Sequence, residues 1–157
     1  GIPNYDDCAS FLSNDFPHRG YVLVATSDGR ETFKRDDRKA FIQRTREIAA
    51  GRPLVWKLHP NEDWDRARRE IDECAPGSLV FTEANTNHMI ANCDVLVTEW
   101  STVVYVGLAL GKECHSNFEL GELRRLAPLQ NGGRSAVHIA AVCEELLETG
   151  RREGRAA

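Results

Sequence analysis

The sequence predicts an α/β fold, a doubly wound parallel sheet of about five to six strands with helices on both faces. Three observations carry that prediction. Short, nearly unbroken apolar runs recur at residues 21–25, 54–58, 79–82 and 95–97, the pattern of strands buried on both faces rather than one. Charged segments with apolar residues at helical spacing separate them. The strict alternation of strand and helix then indicates parallel βαβ units. Right-handed crossovers leave few topologies. With the order 3-2-1-4-5, a ligand crevice opens at the strand carboxyl ends, between the loops at 26–30 and 98–102.

Taken in order, residues 1–20 form a hinge or linker with one brief helical turn. Residues 21–149 form the α/β domain, and 150–157 form a frayed tail. The first strand ends at the turn signal Thr26-Ser27-Asp28-Gly29. A surface helix is predicted over 33–50, stopped by Gly51. The second strand ends sharply at His59-Pro60-Asn61, and a helix over 64–74 is terminated by Pro76-Gly77. A third strand and a short helix over 85–92 precede the run Cys93-Asp94-Val95-Leu96-Val97-Thr98-Glu99-Trp100-Ser101-Thr102. Its helix is predicted over 102–110 with Ser101 as cap. A short fifth strand at 113–116, a helix over 119–126, a flexible loop at 131–134 and a last helix over 137–147 complete the chain.

With 157 residues, one domain with a real core is expected. The 41% apolar and 28% charged fractions are those of an ordinary globular protein. A net charge of −4 provides no basic field for nucleic acid or an anionic membrane. No apolar stretch approaches the ~20 residues of a membrane span, and none reads as a signal peptide. Five cysteines without a C-x-x-C pair read as reduced, mostly buried thiols, which favours a cytoplasmic location. No metal spacing is present, so neither a metal nor another cofactor is assigned. The opening Gly1-Ile2-Pro3, without methionine, is that expected of a piece of a longer protein.

The candidate site residues cluster at the predicted strand ends. Ser101 and Thr102 offer hydroxyls and backbone N–H groups at a helix start, the arrangement that receives phosphate, although Ser101 serves equally as a plain N-cap. Glu99 reads either as a ligand for a ribose or sugar hydroxyl or as a carboxylate favoured by the helix dipole. His59, before Pro60, is placed to donate to phosphate or ribose or to exchange a proton, its alternative being a loop histidine bonded to nearby backbone. Lys57 lies on the same side of its strand as His59. Thr26, Ser27 and Thr98 complete the crevice. Trp100, beside the predicted phosphate site, reads either as a side chain that packs on substrate or, more commonly for a tryptophan, as partly buried core. No P-loop and no G-x-G-x-x-G is present, so Rossmann-type dinucleotide binding has no support.

Four motifs in this order resemble one family. Gly1-Ile2-Pro3-Asn4-Tyr5-Asp6 resembles the hinge into the C-terminal domain of GT-B glycosyltransferases. Lys57-Leu58-His59-Pro60 is similar to their K-x-H-P element. The stretch from Asp94 to Thr102 is similar to the D-x-L-I-T-D-Y-S-S element of CDP-glycerol glycerophosphotransferases and related capsule and teichoic-acid enzymes, with Glu99 where that pattern has Asp. Leu108-Ala109-Leu110-Gly111-Lys112 matches their L-x-x-G-K-P ending, except that Glu113 replaces proline. The resemblance implies the donor-binding half of a two-domain transferase of cell-surface polysaccharide synthesis, inactive without an N-terminal domain. It implies a nucleotide-activated donor of CDP, CMP or UDP type, held by Ser101 and Thr102, with His59 as the catalytic residue. Membrane association would come only through the part outside this chain. UDP-N-acetylglucosamine 2-epimerases share the fold but carry Ser-Gly-Gly where Ser101-Thr102-Val103 stands. A domain of such an enzyme, or a non-catalytic nucleotide-binding scaffold, is the alternative.

Overall fold

The computed structural model describes residues 3–33, 37–130 and 134–153. Five strands, β1 (Val22–Ala25), β2 (Leu54–Lys57), β3 (Leu79–Phe81), β4 (Val95–Thr98) and β5 (Glu113–His115), form one sheet in the order β3-β2-β1-β4-β5. Every pairing is parallel. Fold class and strand order are those expected from the sequence.

Alternation along the strands sorts the core into two layers. Val22, Val24, Trp56, Val95 and Val97 pack with Phe41, Ile42, Ala67 and Ile71 on one face. Leu23, Ala25, Val55 and Leu96 pack with Met89, Ile90, Val104 and Val106 on the other. Both central strands, β1 and β4, are buried at every position, so a polar side chain without a partner is costly there.

The helices are α1 (Gly29–Phe33), α2 (Arg38–Ala49), α3 (Trp64–Cys74), α4 (Thr86–Asn92), α5 (Val104–Ala109), α6 (Leu120–Gln130) and α7 (Ser135–Glu153). The helix predicted over 33–50 starts only at Arg38, and a separate short helix, α1, ends at Phe33. Asp37 opens α2, its carboxylate accepting from the Ala40 N–H at 3.0 Å, a cap hidden in a run of charges. At the far end Ala50 already turns left-handed at φ 49°, followed by Gly51 at φ 86°, a conformation glycine adopts without a Cβ penalty. The bounds of α3 are those predicted; Asp63 caps it through the Arg66 N–H at 3.0 Å, and Ala67 and Ile71 face the core.

The largest departure is at α5. It begins at Val104, not Thr102, and no side chain caps it. Residues 101–103 instead form a turn in which Val104 N–H donates to Ser101 O at 3.3 Å and Tyr105 N–H to Thr102 O at 3.0 Å. Helix α6 runs on to Gln130 and α7 spans 135–153, both longer than predicted. Of the loop predicted at 131–134, residues 131–133 lie outside the described residues, as do those from 154 onward. No helix among the described residues is long and apolar enough to cross a membrane.

Residues 3–20 dock on the domain rather than running past it. Two 3-10 turns, Pro3–Tyr5 and Cys8–Leu12, bury Cys8 completely and stack Tyr5 on Tyr105 with ring centroids 5.9 Å apart. The Asn92 side chain binds Asn14, Arg19 and the Phe16 carbonyl at 2.9–3.1 Å. The Asp6 carboxylate accepts from the backbone N–H of Ser135 at 3.0 Å and from its hydroxyl, holding the first residue of α7.

Two predictions follow from this packing. A Cβ at Gly107 would lie 2.7 Å from Leu96 Cδ2 and 2.8 Å from Cys114 Sγ, closer than a packed core allows. Gly107→Ala is expected to destabilise the fold by about 1–3 kcal/mol in urea denaturation, the usual effect of overpacking; an unchanged midpoint would show that α5 shifts freely. Burial pushes the Cys93 thiol from 9.0 up to about 12 and that of Cys114 up to about 11. The unfolded thiols lose their protons from about pH 9 while the folded ones keep theirs, so ionisation favours unfolding as pH rises through that window. Urea midpoints of the wild type should then fall between pH 9 and 11 more steeply than those of Cys93→Ala/Cys114→Ala. Parallel curves would refute it.

Candidate functional site

β1 and β4 are adjacent, and the chain leaves them for opposite faces: α2 belongs to one core layer and α5 to the other. This is the switch point of a doubly wound sheet, where loops diverge and a crevice opens. Ala25 pairs in register with both Lys57 and Thr98. The predicted residues of β2, β1 and β4 thus reach one edge of the sheet together.

Their environments divide them into two groups. Thr26, Ser27, Lys57 and Thr98 are buried, whereas His59, Glu99 and Ser101 are half-buried and Pro60 and Thr102 exposed. The Lys57 ammonium donates to the carbonyls of Leu58 at 2.8 Å and Thr82 at 3.0 Å. Burial lowers its pKa, opposed by the charge of Glu62. It therefore fastens the end of β2 to the loop after β3. The Thr26 hydroxyl donates to Glu62 Oε2 and accepts from the His59 N–H at 2.9 Å. Thr98 Oγ1 is buried and meets no hydrogen-bond partner among the described residues.

Two residues that sequence reasoning missed hold this edge together. Glu62 Oε2 accepts from the His59 N–H at 2.8 Å as well as from Thr26, while Oε1 pairs with Arg38 Nη2. The side chains of Arg38 and Glu62 are 1% and 2% exposed, so the carboxylate is fully desolvated and depends on these partners. The only available signal was a carboxylate three residues after His59, and the N-terminal position of Arg38 on a capped helix.

His59 Nδ1 accepts from the Asn61 N–H at 3.2 Å. In the neutral imidazole that places the proton on Nε2, which becomes the donor available to a ligand. Close by, the Asp28 carboxyl is held below its usual range by hydrogen bonds from Thr32 and Asn61 and by the His59 charge. In the β4 loop, no acceptor among the described residues meets the backbone N–H groups of Ser101 or Thr102. The Ser101 hydroxyl lies 3.5 Å from the Val103 N–H, too long to consume it. The Glu99 carbonyl is fixed from β5 by Ser116 Oγ at 2.8 Å and Asn117 N–H at 3.1 Å.

On the α2 side of the edge, Glu99 lines a concavity of about 230 Å³ with Asp37, Phe41 and Arg44. Arg44 also borders one of about 190 Å³ formed with His115, Ser116 and Leu120. A larger hollow of about 370 Å³ involves Gly51, Arg52 and Leu54. It sits at the amino end of β2, the wrong end of the sheet for the switch point, and Arg52 is spent there on the carbonyls of Ile48 and Ala49. Trp100, more commonly read as partly buried core, is 63% exposed. No family model matches this chain, and no curated protein shows significant similarity to it.

The buried clamp gives a stability prediction. Glu62→Ala removes the buried carboxylate that Arg38, Thr26 and the His59 N–H share and should destabilise the fold by about 3–5 kcal/mol. Arg38→Met/Glu62→Leu should recover part of that loss. A double-mutant cycle in urea measures the coupling, and additive single-variant effects would show that the pair is not a unit.

Proposed function

We propose that this chain binds the diphosphate of a nucleotide-activated donor, as the donor half of a GT-B glycosyltransferase or glycerophosphotransferase of cell-surface polysaccharide synthesis. The observation that carries the reading is the position of the Asp94-to-Thr102 motif. It runs along β4 into the switch point and ends in two adjacent residues whose N–H groups meet no acceptor among the described residues. Such donors, with the Ser101 and Thr102 hydroxyls beside them, suit a phosphate group.

In this reading the domain stabilises the departing nucleotide. Negative charge grows on the leaving phosphate in the transition state, and fixed N–H donors lower its energy there. His59 supplies one more hydrogen bond from Nε2, its ring set by Asn61 and its backbone by Glu62 and Thr26. Acceptor groups belong to an N-terminal domain of the same protein, outside this chain. The described residues carry few unspent cations at this edge, since Lys57 and Arg38 are committed elsewhere, and backbone donors therefore carry most of the phosphate.

The test is calorimetric titration of this chain with CDP, UDP, CMP and pyrophosphate. The diphosphates are expected to bind, and Ser101→Ala/Thr102→Ala should weaken them about tenfold, the loss of one or two charge-assisted hydrogen bonds. Failure of every ligand to bind the wild type would overturn the reading.

A further inference from the structure

We propose that Trp100 is the stacking platform for the nucleobase of the bound nucleotide, an inference that rests on the nucleotide-binding reading above. Trp100 is the most exposed aromatic side chain among the described residues. Leaving an indole in water forgoes a large apolar burial, and a single exposed aromatic would normally be mobile as well. This one is held. Phe118 meets it edge to face, centroids 5.2 Å apart at 89°, and Phe118 itself packs against the buried core. The backbone before it is fixed too. The preceding carbonyl, that of Glu99, receives the two hydrogen bonds from Ser116 and Asn117, and Ser116 Oγ also accepts from the Phe118 N–H at 3.2 Å. The loop after β5 thus positions both rings of the pair.

The position in the chain selects the ligand class. Trp100 immediately precedes Ser101 and Thr102, so a ring resting on the indole lies within one nucleoside of a phosphate in the 101–103 turn. A planar heteroaromatic base fits an exposed indole that Phe118 holds edge to face, because stacking needs only a π-face. The polar groups that would read sugar hydroxyls, Glu99 and Arg44, line the concavity on the α2 side instead. Stacking without polar readout holds pyrimidine and purine nucleotides with similar strength, so this contact supplies affinity rather than choice of base.

The experiment compares wild type, Trp100→Ala and Trp100→Phe in titrations with CDP, UDP and pyrophosphate, after thermal melts confirm that the variants fold. Trp100→Ala should weaken CDP and UDP about tenfold and leave pyrophosphate unchanged, while Trp100→Phe keeps most of the affinity. Wild-type affinity of Trp100→Ala for CDP would overturn the stacking and leave the phosphate reading standing. An equal loss for pyrophosphate would overturn it as well, by showing that the indole acts on the loop. If the wild type binds none of the three ligands, both readings fall.

Discussion

The Glu62 carboxylate is the constraint on which the geometry of the sheet edge depends. It lies in a desolvated position where an unpaired charge is untenable, and three donors from three parts of the chain converge on it: the Arg38 guanidinium from α2, the Thr26 hydroxyl from the end of β1, and the His59 N–H from the end of β2. Displacing any one of these elements would strip the charge of a partner. The two loops therefore leave the sheet in a fixed relation, and the His59 imidazole projects from a backbone that cannot wander. Buried ion pairs are seldom a bargain for stability. Here the return is geometric, because a hydrophobic substitute would fill the space without directing the His59 backbone.

Around that clamp the chain divides its polar side chains between two duties. At a parallel strand end, the last carbonyls have no neighbour to pair with, and a nearby polar side chain can serve either those carbonyls or a ligand. Lys57 serves the carbonyls. Ser101 and Thr102 do not, and their N–H groups meet no acceptor among the described residues. The edge is thus structural on the β2 side and open on the β4 side, which concentrates any binding around the 99–103 loop.

The division was only half legible in the sequence. Strands and their order could be read because burial on both faces leaves an unbroken apolar run, and β1 and β4 show it at every position. The bounds of α3 were readable for a similar reason, with Asp63 at one end and Pro76-Gly77 beyond the other. The break before α2 was not, because the Asp37 cap stands among charges that look alike until one of them bonds the Ala40 N–H. Ser101 misled in the opposite sense. A serine before an apolar helix is a cap only if the helix starts at once, and here the chain first makes a turn of its own. Glu62 and Arg38 could not have been paired from the sequence, since 24 positions separate them and only the folded sheet brings them together. Of the two readings of Trp100, the partly buried core one failed because Phe118, from the loop after β5, supports the indole at the surface.

The contact between Asp6 and Ser135 joins positions 129 residues apart. Closing so long a loop is entropically slow and can happen only when nearly all of the chain is available. During synthesis the sheet and its two core layers can assemble first, β5 and α6 included, while the segment before β1 waits for its last partner. Most of that segment can dock earlier, on Asn92 of α4 and Tyr105 of α5, and only the Asp6 contact waits for Ser135. The Asp6–Ser135 contact therefore closes last, as a latch between the segment before β1 and the start of α7.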